Sequence, residues 1–467
     1  MPAVGSGRMI AAAIAALWLV QPAGAQVFTK QYDDGSVYTG ETRNGLQHGK
    51  GTYTTPAGYE YEGEWVDGTI RGQGRARFPN GAVYEGAFVD GLPHGTGRIV
   101  NADGSVYEGA WVEGQMTGQG RLTQPDGSVL TGSFRNGRAH GEGSFETPEG
   151  YRYEGGWIEG LSEGMARITY PGGARYEGEM RAGARAGQGS YVAADGARYE
   201  GGWAADEMSG QGTLTLVSGE VYQGSFVDGR REGRGLQRFP DGSFYAGAFR
   251  ADLRHGRGSY VGPDGQRYSG DWVGGEMSGQ GALTYADGTV YEGGFLRNLP
   301  EGQGRITYPG GLAYAGAWVA GRIEGEGEMR LPDGAVYAGS FRAGAFEGTG
   351  RLTGADGTIY EGGWSGGLRQ GSGRLIWPDG TVYEGDFVAG RREGQGRLSA
   401  PDGFVYDGAW KDGAMTGRAT ATWTDGTVYV GDFVAGRREG QGRLSYPDGT
   451  VNEGRWKNDL FQPAPAP

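Results

Sequence analysis

Aromatic residues and glycines alternate along this chain with a period of 23 residues. Glycine recurs at 19 successive positions from Gly40 to Gly454 without insertion or deletion, and at 17 of them tyrosine stands two residues earlier. With this tyrosine as position 0 of each repeat, glycine occupies +2 and Trp or Phe occupies +4 in nearly every repeat, as in Tyr107, Gly109 and Trp111. Alternate residues of a β-strand face the same side, so these positions predict a first strand with one aromatic face.

The second half of each repeat predicts a second strand. Position +7 holds only Gly, Asp or Asn, the residues that tolerate positive φ, and therefore predicts a hairpin turn. In the first 18 repeats position +11 is Gly, +13 is Gly or Ala, and +15 is usually apolar. Pro125–Gly127 typifies the turn that leads into the next repeat.

A fold-back near +7 and +8 predicts the pairing of the two strands within one repeat. Position +4 would face +11, +2 would face +13, and 0 would face +15, so that each aromatic ring covers a glycine. Glutamate at +1 and arginine at +14, such as Glu62 and Arg75, would then face each other on the opposite side of the sheet.

The two ends of the chain differ from the repeats. Arg8, the apolar run 9–20 and the small residues Ala23-Gly24-Ala25 have the pattern of a secretory signal peptide, and twelve apolar residues are too few to span a bilayer about 30 Å thick. We therefore expect residues 1–25 to be a signal peptide cleaved after Ala25, which places the protein in the periplasm or outside the cell. Residues 26–461 are expected to form the repeat array, and the Pro/Ala-rich residues 462–467 a disordered tail.

Composition and charge exclude several classes of function. The chain has no cysteine, which excludes disulfides, thiolate zinc sites and a cysteine nucleophile. Its net charge of −13 disfavours nucleic acid and anionic membrane surfaces, both of which bind clustered Lys and Arg. We expect no nucleic-acid partner, and the charge does not favour membrane contact.

The repeats hold no recognisable catalytic, cofactor-binding or metal site. The first three histidines, His48, His94 and His140, lie 46 residues apart, which corresponds to four strands or about 19 Å, too far to share one ion. The Gly-x-Gly pairs are followed by no helix that could hold a dinucleotide phosphate. A general acid and a general base need two environments that shift their pKa values apart, whereas the carboxylates of the repeats have similar surroundings. We therefore predict a protein that is not an enzyme and that uses no cofactor.

The pattern Tyr-Glu-Gly-x-Trp/Phe-x-x-Gly-x-x-x-Gly-x-Gly, seen from Tyr107 to Gly120, resembles the MORN (membrane occupation and recognition nexus) repeat over residues 27–461. The resemblance implies an all-β fold, an elongated single-layer antiparallel β-meander solenoid of about 19 repeats with two strands each, of a bacterial exported type. It also implies a scaffold or interaction module, often one that self-associates, with phospholipid contact proposed for the family.

Two functions follow as hypotheses. The first is a non-enzymatic scaffold of the cell envelope that binds protein partners, including further copies of itself, because a single-layer sheet leaves a broad aromatic face exposed. The alternative is an envelope module whose aromatic rows bind glycan, such as peptidoglycan, or phospholipid head groups. The predicted interaction surface is the row of tryptophans at +4: Trp65, Trp111, Trp157, Trp203, Trp272, Trp318, Trp364 and Trp410.

Overall fold

The computed structural model of the protein describes residues 27–463. The predicted signal peptide, its cleavage position after Ala25 and residues 464–467 of the predicted tail lie outside the described residues. Residues 27–463 form strands and turns without a helix, and this range therefore contains no apolar helix of the length that a bilayer crossing needs.

The chain divides into two compact units, residues 1–207 and residues 208–467. The strands of the first unit are β1 (Val27–Gln31), β2 (Val37–Arg43), β3 (Leu46–Thr54), β4 (Glu60–Val66), β5 (Thr69–Arg77), β6 (Val83–Val89), β7 (Leu92–Val100), β8 (Val106–Val112), β9 (Gln115–Thr123), β10 (Val129–Arg135), β11 (Arg138–Glu146), β12 (Arg152–Ile158), β13 (Leu161–Thr169), β14 (Arg175–Arg181), β15 (Ala184–Val192) and β16 (Arg198–Ala204).

The remaining strands belong to the second unit, the first of them starting at the unit boundary. They are β17 (Glu207–Thr215), β18 (Val221–Val227), β19 (Arg230–Arg238), β20 (Phe244–Arg250), β21 (Leu253–Val261), β22 (Arg267–Val273), β23 (Glu276–Thr284), β24 (Val290–Leu296), β25 (Leu299–Thr307), β26 (Ala313–Val319), β27 (Arg322–Arg330), β28 (Val336–Arg342), β29 (Ala345–Thr353), β30 (Ile359–Ser365), β31 (Leu368–Ile376), β32 (Val382–Val388), β33 (Arg391–Ser399), β34 (Val405–Lys411), β35 (Ala414–Thr422), β36 (Val428–Val434), β37 (Arg437–Ser445), β38 (Val451–Lys457) and β39 (Leu460–Gln462).

Within each unit, a strand pairs antiparallel with its neighbours along the chain, as β5 does with β4 and β6, and β37 with β36 and β38. Two strands correspond to one 23-residue repeat. The predicted fold class, an all-β antiparallel meander, is confirmed. The last strand ends at Gln462, one residue beyond the predicted end of the array.

The hairpin turn of each repeat lies at +6 and +7, one residue earlier than predicted. Asn44 and Gly45 have φ of 52° and 79°, and Asp90 and Gly91 have 51° and 80°. Two consecutive residues with positive φ form the type I′ turn that matches the twist of a two-stranded hairpin.

The predicted register is confirmed in one half of the hairpin and wrong in the other. Tyr84 faces Ile99 and Gly86 faces Gly97, which is the predicted pairing of 0 with +15 and of +2 with +13. Phe88 at +4, however, faces Pro93 at +9 rather than +11. A β-bulge causes the difference, because the second strand carries two more residues than the first across this point. Position +4 does pair with +11, but with the +11 glycine of the preceding repeat.

The tyrosine at position 0 fills the space above the glycines at +2 and +13 of its own repeat. A Cβ on Gly97 would lie 2.1 Å from the Tyr84 hydroxyl oxygen, so only a glycine or, in two repeats, an alanine stands there. The same hydroxyl donates a hydrogen bond to the Ala87 carbonyl at 3.0 Å. Since the bulge interrupts the ladder at Ala87, the tyrosine supplies a partner to a carbonyl that the neighbouring strand leaves unpaired.

Aromatic rings join successive repeats on this face. Tyr84 meets Phe88 of its own repeat at 5.0 Å between ring centroids and Trp111 of the next repeat at 5.1 Å, both edge to face. The Trp111 indole Nε1 donates to the Gly97 carbonyl at 3.2 Å. Within each unit, the core is therefore a row of tyrosines alternating with tryptophan or phenylalanine, in which a +4 ring such as Trp111 contacts the tyrosines of two repeats.

Candidate interaction surface

The tryptophans predicted to form the interaction surface lie in the aromatic core instead of on an open face. Seven of the eight retain only 3–7% exposure. Trp157 is half-buried. In the seven buried members the indole Nε1 donates to the carbonyl at +13 of the preceding repeat, at 3.0–3.3 Å. These rings pack the sheet and offer little surface to a partner.

Side chains at +9 cover the rings. Arg392 places its guanidinium 4.2 Å from the centroid of the Trp410 ring, and Arg185 lies 4.1 Å from that of Trp203. Met, Ile, Pro or Phe takes this position in ten other repeats, and Gln47, Ala139 and Ser162 take it in the three further repeats without arginine there. Burial lowers the pKa of Arg392, but an arginine remains charged at any physiological pH. Where the +9 residue is arginine, its apolar stem and its guanidinium cation both stack on the aromatic face of the ring.

Repeat 5 departs from the pattern because Leu130 stands at position 0. Trp157 of the following repeat moves into the room that the missing tyrosine leaves, and a Cβ on Gly143 would lie 3.3 Å from its Nε1. That Nε1 is buried and has no hydrogen-bond partner within the described residues. The tyrosine is therefore needed to position the next tryptophan.

The exposed apolar surface lies at +5 and +8, which flank the hairpin turn. We call these positions the apolar margin; its members are 41–67% exposed. In the first unit they are Leu46, Val66, Leu92, Val112, Ile158 and Leu161. In the second unit they are Val227, Leu253, Val273, Leu296, Leu299, Val319, Leu368, Val388, Val434 and Leu460.

The apolar margin follows the turns and is interrupted in repeats that carry charged residues at +5 and +8, such as Arg135 and Arg138. Positions +5 and +8 face each other in the ladder, as Ile158 and Leu161 do, and therefore share a face. Leu92 lies beside Gly114, the turn glycine of the next repeat. Because +5 alternates with +4, this face is the one opposite the aromatic core.

A polar groove lies on the same face, along positions +1 to +3 and +12 to +14. In the first unit it has a volume of about 660 Å³, with Gly40, Gly51, Gly63 and Gly74 among its lining residues. Its polar lining residues are Thr39, Glu41, Lys50, Thr52, Glu62, Glu64, Gln73 and Arg75. The glycines line the groove with backbone atoms only, because a Cβ on them would point to the aromatic face.

The groove changes its chemistry in the second unit. A stretch of about 750 Å³ is lined by Gln211, Gln223, Leu236, Ala246 and Ala248, with Arg234 and Arg257 as its charged residues. Arg257 approaches Asp271 at 3.6 Å. In this stretch Gln223 and Ala246 replace the glutamate at +1 and Leu236 replaces the arginine at +14, so that its charged lining residues are arginines at +12.

The predicted Glu–Arg rows are present, and their ion pairs connect neighbouring repeats. Arg75 Nε lies 2.9 Å from Glu85 and Arg98 Nε lies 2.9 Å from Glu108, in each case the +1 carboxylate of the next repeat. All four side chains are about half exposed. Such exposed pairs contribute roughly 0.2–1 kcal/mol each, so that they add a little cohesion and leave the groove solvated.

The histidines serve the turns of neighbouring repeats. His48 Nδ1 accepts a hydrogen bond from the backbone N–H of Asp67 at 3.4 Å, and His140 lies 3.7 Å from Glu159. Among residues 27–463, no three His, Asp or Glu side chains are grouped so that they could hold a metal ion.

Reasoning from the sequence missed the apolar margin. Valine, leucine or isoleucine holds +5 in ten of the 19 repeats and +8 in seven. These apolar residues stand next to a turn, on the strand face that also carries Glu and Arg. That pattern is sufficient to predict the apolar margin from the sequence. The prediction placed the interaction surface on the opposite face because the large aromatic residues lie there.

Comparison with protein families gives one match. The MORN repeat model matches 18 consecutive stretches of the chain between residues 38 and 451. No curated protein matches the chain.

Solved structures that resemble the chain do so weakly. The SAS-4 TCP domain of Drosophila melanogaster, in complex with a proline-rich motif of Ana2, is 19% identical, covers 38% of this chain and 90% of its own, and has a TM-score of 0.23. The CPAP TCP10 domain of Danio rerio, with a STIL peptide, is 14% identical over 66% of this chain and 95% of its own, with a TM-score of 0.14. Virginiamycin B lyase from Staphylococcus aureus is 10% identical over 66% of this chain and 92% of its own, with a TM-score of 0.11. Likeness at this level carries no argument about function.

Proposed function

Because the chain belongs to the MORN-repeat family, we propose that it is a non-enzymatic scaffold of the cell envelope that binds a protein partner along the apolar margin and the polar groove. MORN repeats generally mediate protein or membrane interactions, and the family is generally not enzymatic. The proposal adds the choice of a protein partner, the surface that it contacts and the exported location.

The exposed apolar margin carries this proposal. Apolar side chains that are half exposed and recur beside a polar groove form an amphipathic surface, the usual composition of a protein–protein contact. Equivalent positions of successive repeats are two strands or about 10 Å apart. An extended partner that crosses the strands would therefore advance about three residues per repeat, at about 3.3 Å per residue.

Charge and burial favour a protein over the other ligands. A net charge of −13 opposes an anionic lipid surface. The tryptophan rings that would stack on a sugar are covered by their neighbours, as Trp410 is by Arg392. The alternative hypothesis of glycan or head-group binding by aromatic rows therefore loses the exposed rings on which it depends.

Residues 1–25 support the proposed export, because they have the sequence of a cleavable signal. Fractionation of cells that make the full chain, followed by intact-mass analysis, tests it. We expect a periplasmic or secreted product that starts at Gln26. A cytoplasmic product that still starts at Met1 or Pro2 would contradict export without affecting the proposed contact surface.

Photo-crosslinking in the cell tests the contact surface. A crosslinking amino acid at Val319, in the apolar margin, is expected to trap a partner. Adding the double substitution Val388→Thr, Val434→Thr, at two further members of the margin, is expected to lower recovery of that partner about fivefold. Lys411→Thr is the matched control, since Lys411 holds the same +5 position with a polar side chain. Equal crosslinking from Asp264, an exposed turn residue, would show that the margin is not the contact surface.

A further inference from the structure

Arginine accumulates on one stretch of the sheet face that holds the polar groove. Six exposed arginines of this face lie on β19 to β22, all within the second unit. The positions concerned share this face because they line the groove at +12 or alternate along a strand with the core positions 0, +4, +9 and +15. We call these residues the arginine patch: Arg230 at +8, Arg234 and Arg257 at +12, Arg238 at +16, Arg250 at +5 and Arg267 at −1.

The repeats that carry the patch lack the glutamates that stand on this face elsewhere. Gln223, Ala246 and Ser269 hold +1 in repeats 9–11. In the repeats directly before and after, Glu200 and Glu292 hold the same position. Repeats 9–11 therefore offer the arginines of the patch no carboxylate at +1.

The turn next to the patch also lacks a carboxylate that another repeat provides. Arg391, at +8, lies 2.7 Å from Asp412 at +6 of the next repeat. Arg230 holds the same +8 position in the patch, and the residue that corresponds to Asp412 is Ala251. The Arg230 guanidinium therefore has no carboxylate at this place.

Two carboxylates share this face on β19 to β22, and both bind backbone groups. Glu232 accepts a hydrogen bond from the Ala251 N–H at 2.9 Å, and Asp271 accepts one from the Gln280 N–H at 3.0 Å. Within residues 27–463, Arg257 is the one member of the patch with an ion pair, 3.6 Å from Asp271, and its side chain is still 91% exposed. The patch is therefore a positively charged surface on a chain whose net charge is −13.

Starting from the proposed scaffold function, on which this inference rests, we propose that the arginine patch binds an acidic, extended segment of the protein partner. Guanidinium groups bind Asp and Glu carboxylates through two parallel hydrogen bonds. Arg234 and Arg257 hold the same position in successive repeats and are two strands or about 10 Å apart. Two carboxylates of one segment would therefore bind to the two guanidinium groups.

The apolar margin beside the patch favours a protein segment over a phosphate polymer. Val227 faces Arg230, and Leu253 faces Arg250. The two apolar side chains are 51% and 52% exposed. Both hairpin ends thus present an apolar side chain next to a guanidinium, which suits a segment that mixes acidic and apolar residues. A sugar-phosphate backbone would leave the apolar side chains exposed.

The size of the patch favours a short segment over a membrane or a duplex. The outer two of its four strands are about 14 Å apart, the length of about four or five extended residues. A bilayer or a long duplex would extend past the patch and meet the rest of an acidic chain, such as Glu292 in the next repeat. Like charges there would oppose binding.

Fluorescence anisotropy with a synthetic peptide tests the inference on the purified full-length chain. The probe is a labelled peptide of about nine residues that mixes glutamate and leucine, and its control carries glutamine for glutamate. We expect the glutamate peptide to bind at least about tenfold more tightly than the glutamine peptide, with an affinity that falls as salt is raised. No binding of the glutamate peptide at about 1 mM, or equal binding of the two peptides, would overturn the inference.

Substitutions at +12 locate the binding site. The double variant Arg234→Gln, Arg257→Gln is expected to weaken binding of the glutamate peptide about tenfold, and glutamine is compatible with the fold at this position, as at Gln280. Lys50→Gln, Arg418→Gln is the matched control, because it removes the same charge at +12 where Glu64 and Asp432 face the cations. The control should retain its affinity within about twofold. Equal weakening in both double variants would overturn the inference.

Two further measurements separate the alternatives. If phosphatidylserine vesicles or a single-stranded oligonucleotide bind the parent but not the Arg234→Gln, Arg257→Gln variant, and the glutamate peptide does not compete, the patch binds phosphate and the inference is wrong. Partner crosslinking from Val319 that persists when the glutamate peptide fails to bind would contradict the acidic segment and leave the proposed scaffold function standing. Loss of this crosslink in the Arg234→Gln, Arg257→Gln variant would support both.

Discussion

The Tyr84 ring lies against the backbone of Gly97 on the neighbouring strand, so closely that a Cβ there would meet its hydroxyl oxygen at 2.1 Å. The same contact recurs where position 0 is tyrosine and +13 is glycine, and it fixes three things at once. The ring covers a glycine that would otherwise weaken the strand, its hydroxyl bonds the carbonyl at the bulge, and its edge supports the next +4 ring.

Replacing Gly97 by valine should therefore displace the Tyr84 ring and cost about 3 kcal/mol, the upper part of the range for overpacked sites. Hydrogen exchange is the suitable readout, because loss of protection should centre on β6, β7 and β8. Gly310→Ala is the control: a Cβ at Gly310 has no atom within 4 Å, and its protection pattern should match that of the parent. Equal effects of the two substitutions would contradict the role assigned to the ring contact.

Substituting tryptophan by phenylalanine at two equivalent positions isolates the indole hydrogen bond. Trp111 Nε1 donates to Gly97 O, whereas Trp157 Nε1 has no partner. We expect Trp111→Phe to destabilise the protein by about 1 kcal/mol more than Trp157→Phe, since only Trp111 loses an indole hydrogen bond and its ring is also the more buried of the two. Urea titration followed by the remaining fluorescence compares them. A Trp157→Phe variant that is the less stable of the two would be inconsistent with this difference.

The arginine cover on the aromatic face can be tested at Arg392, whose guanidinium lies 4.2 Å from the Trp410 ring and donates to Gly413 O at 2.7 Å. Arg392→Ala should cost about 1–2 kcal/mol and make Trp410 more accessible to a collisional quencher. Arg392→Met should change stability by less than about 0.5 kcal/mol, because Met occupies this position in four repeats, for example Met116. If quenching of Trp410 fluorescence rises equally in both variants, the apolar stem of the side chain at residue 392 does not cover the Trp410 ring.

Two sets of groups set the pH range of stability. Burial raises the pKa of Tyr84, Tyr107 and Tyr222 from 10 to about 12, so the stability they contribute is present below pH 10 and is lost as pH rises through 12. A hydrogen bond from the backbone N–H of Ser128 lowers the pKa of Asp126, so its contribution is present above pH 4 and is lost as pH falls through the lowered pKa.

We therefore expect a flat stability profile between about pH 5 and pH 9, followed by cooperative alkaline unfolding in which tyrosinate absorbance and the loss of circular dichroism rise together. Tyrosinate that forms near pH 10 while the circular dichroism stays native would contradict the burial of the tyrosine row.

The sequence was sufficient to predict the 23-residue hairpin, the positive φ at +7 and the pairing of Tyr84 with Ile99, although it placed the turn one residue too late. It was not sufficient for the bulge, because glycine at +11 carries no side chain whose polarity would show which strand it faces. In the structure Gly95, at +11, has φ of 69°, a conformation that belongs to a bulge and not to a regular strand.

Burial of the tryptophans also required the structure. The sequence shows a ring at Trp410 but not that Arg392, on the preceding strand, folds over it. Arginine is usually expected at the solvated face, and its stacking on a ring depends on the strand register that the bulge sets.

The bond from Trp111 to Gly97 and the ion pair from Arg98 to Glu108 both cross from one repeat to the next. The boundaries of the repeat in the sequence are therefore not seams in the protein. A single hairpin keeps its tyrosine but lacks the +4 ring of the next repeat and the indole N–H that this ring donates. An array of n repeats therefore contains n − 1 complete contacts between neighbouring repeats. Stability should consequently follow a nearest-neighbour law, in which every added repeat contributes one full junction and the terminal repeats fray first. An array of this kind can be lengthened or shortened by whole repeats without redesign of its interior, which makes length itself a property that recombination can vary.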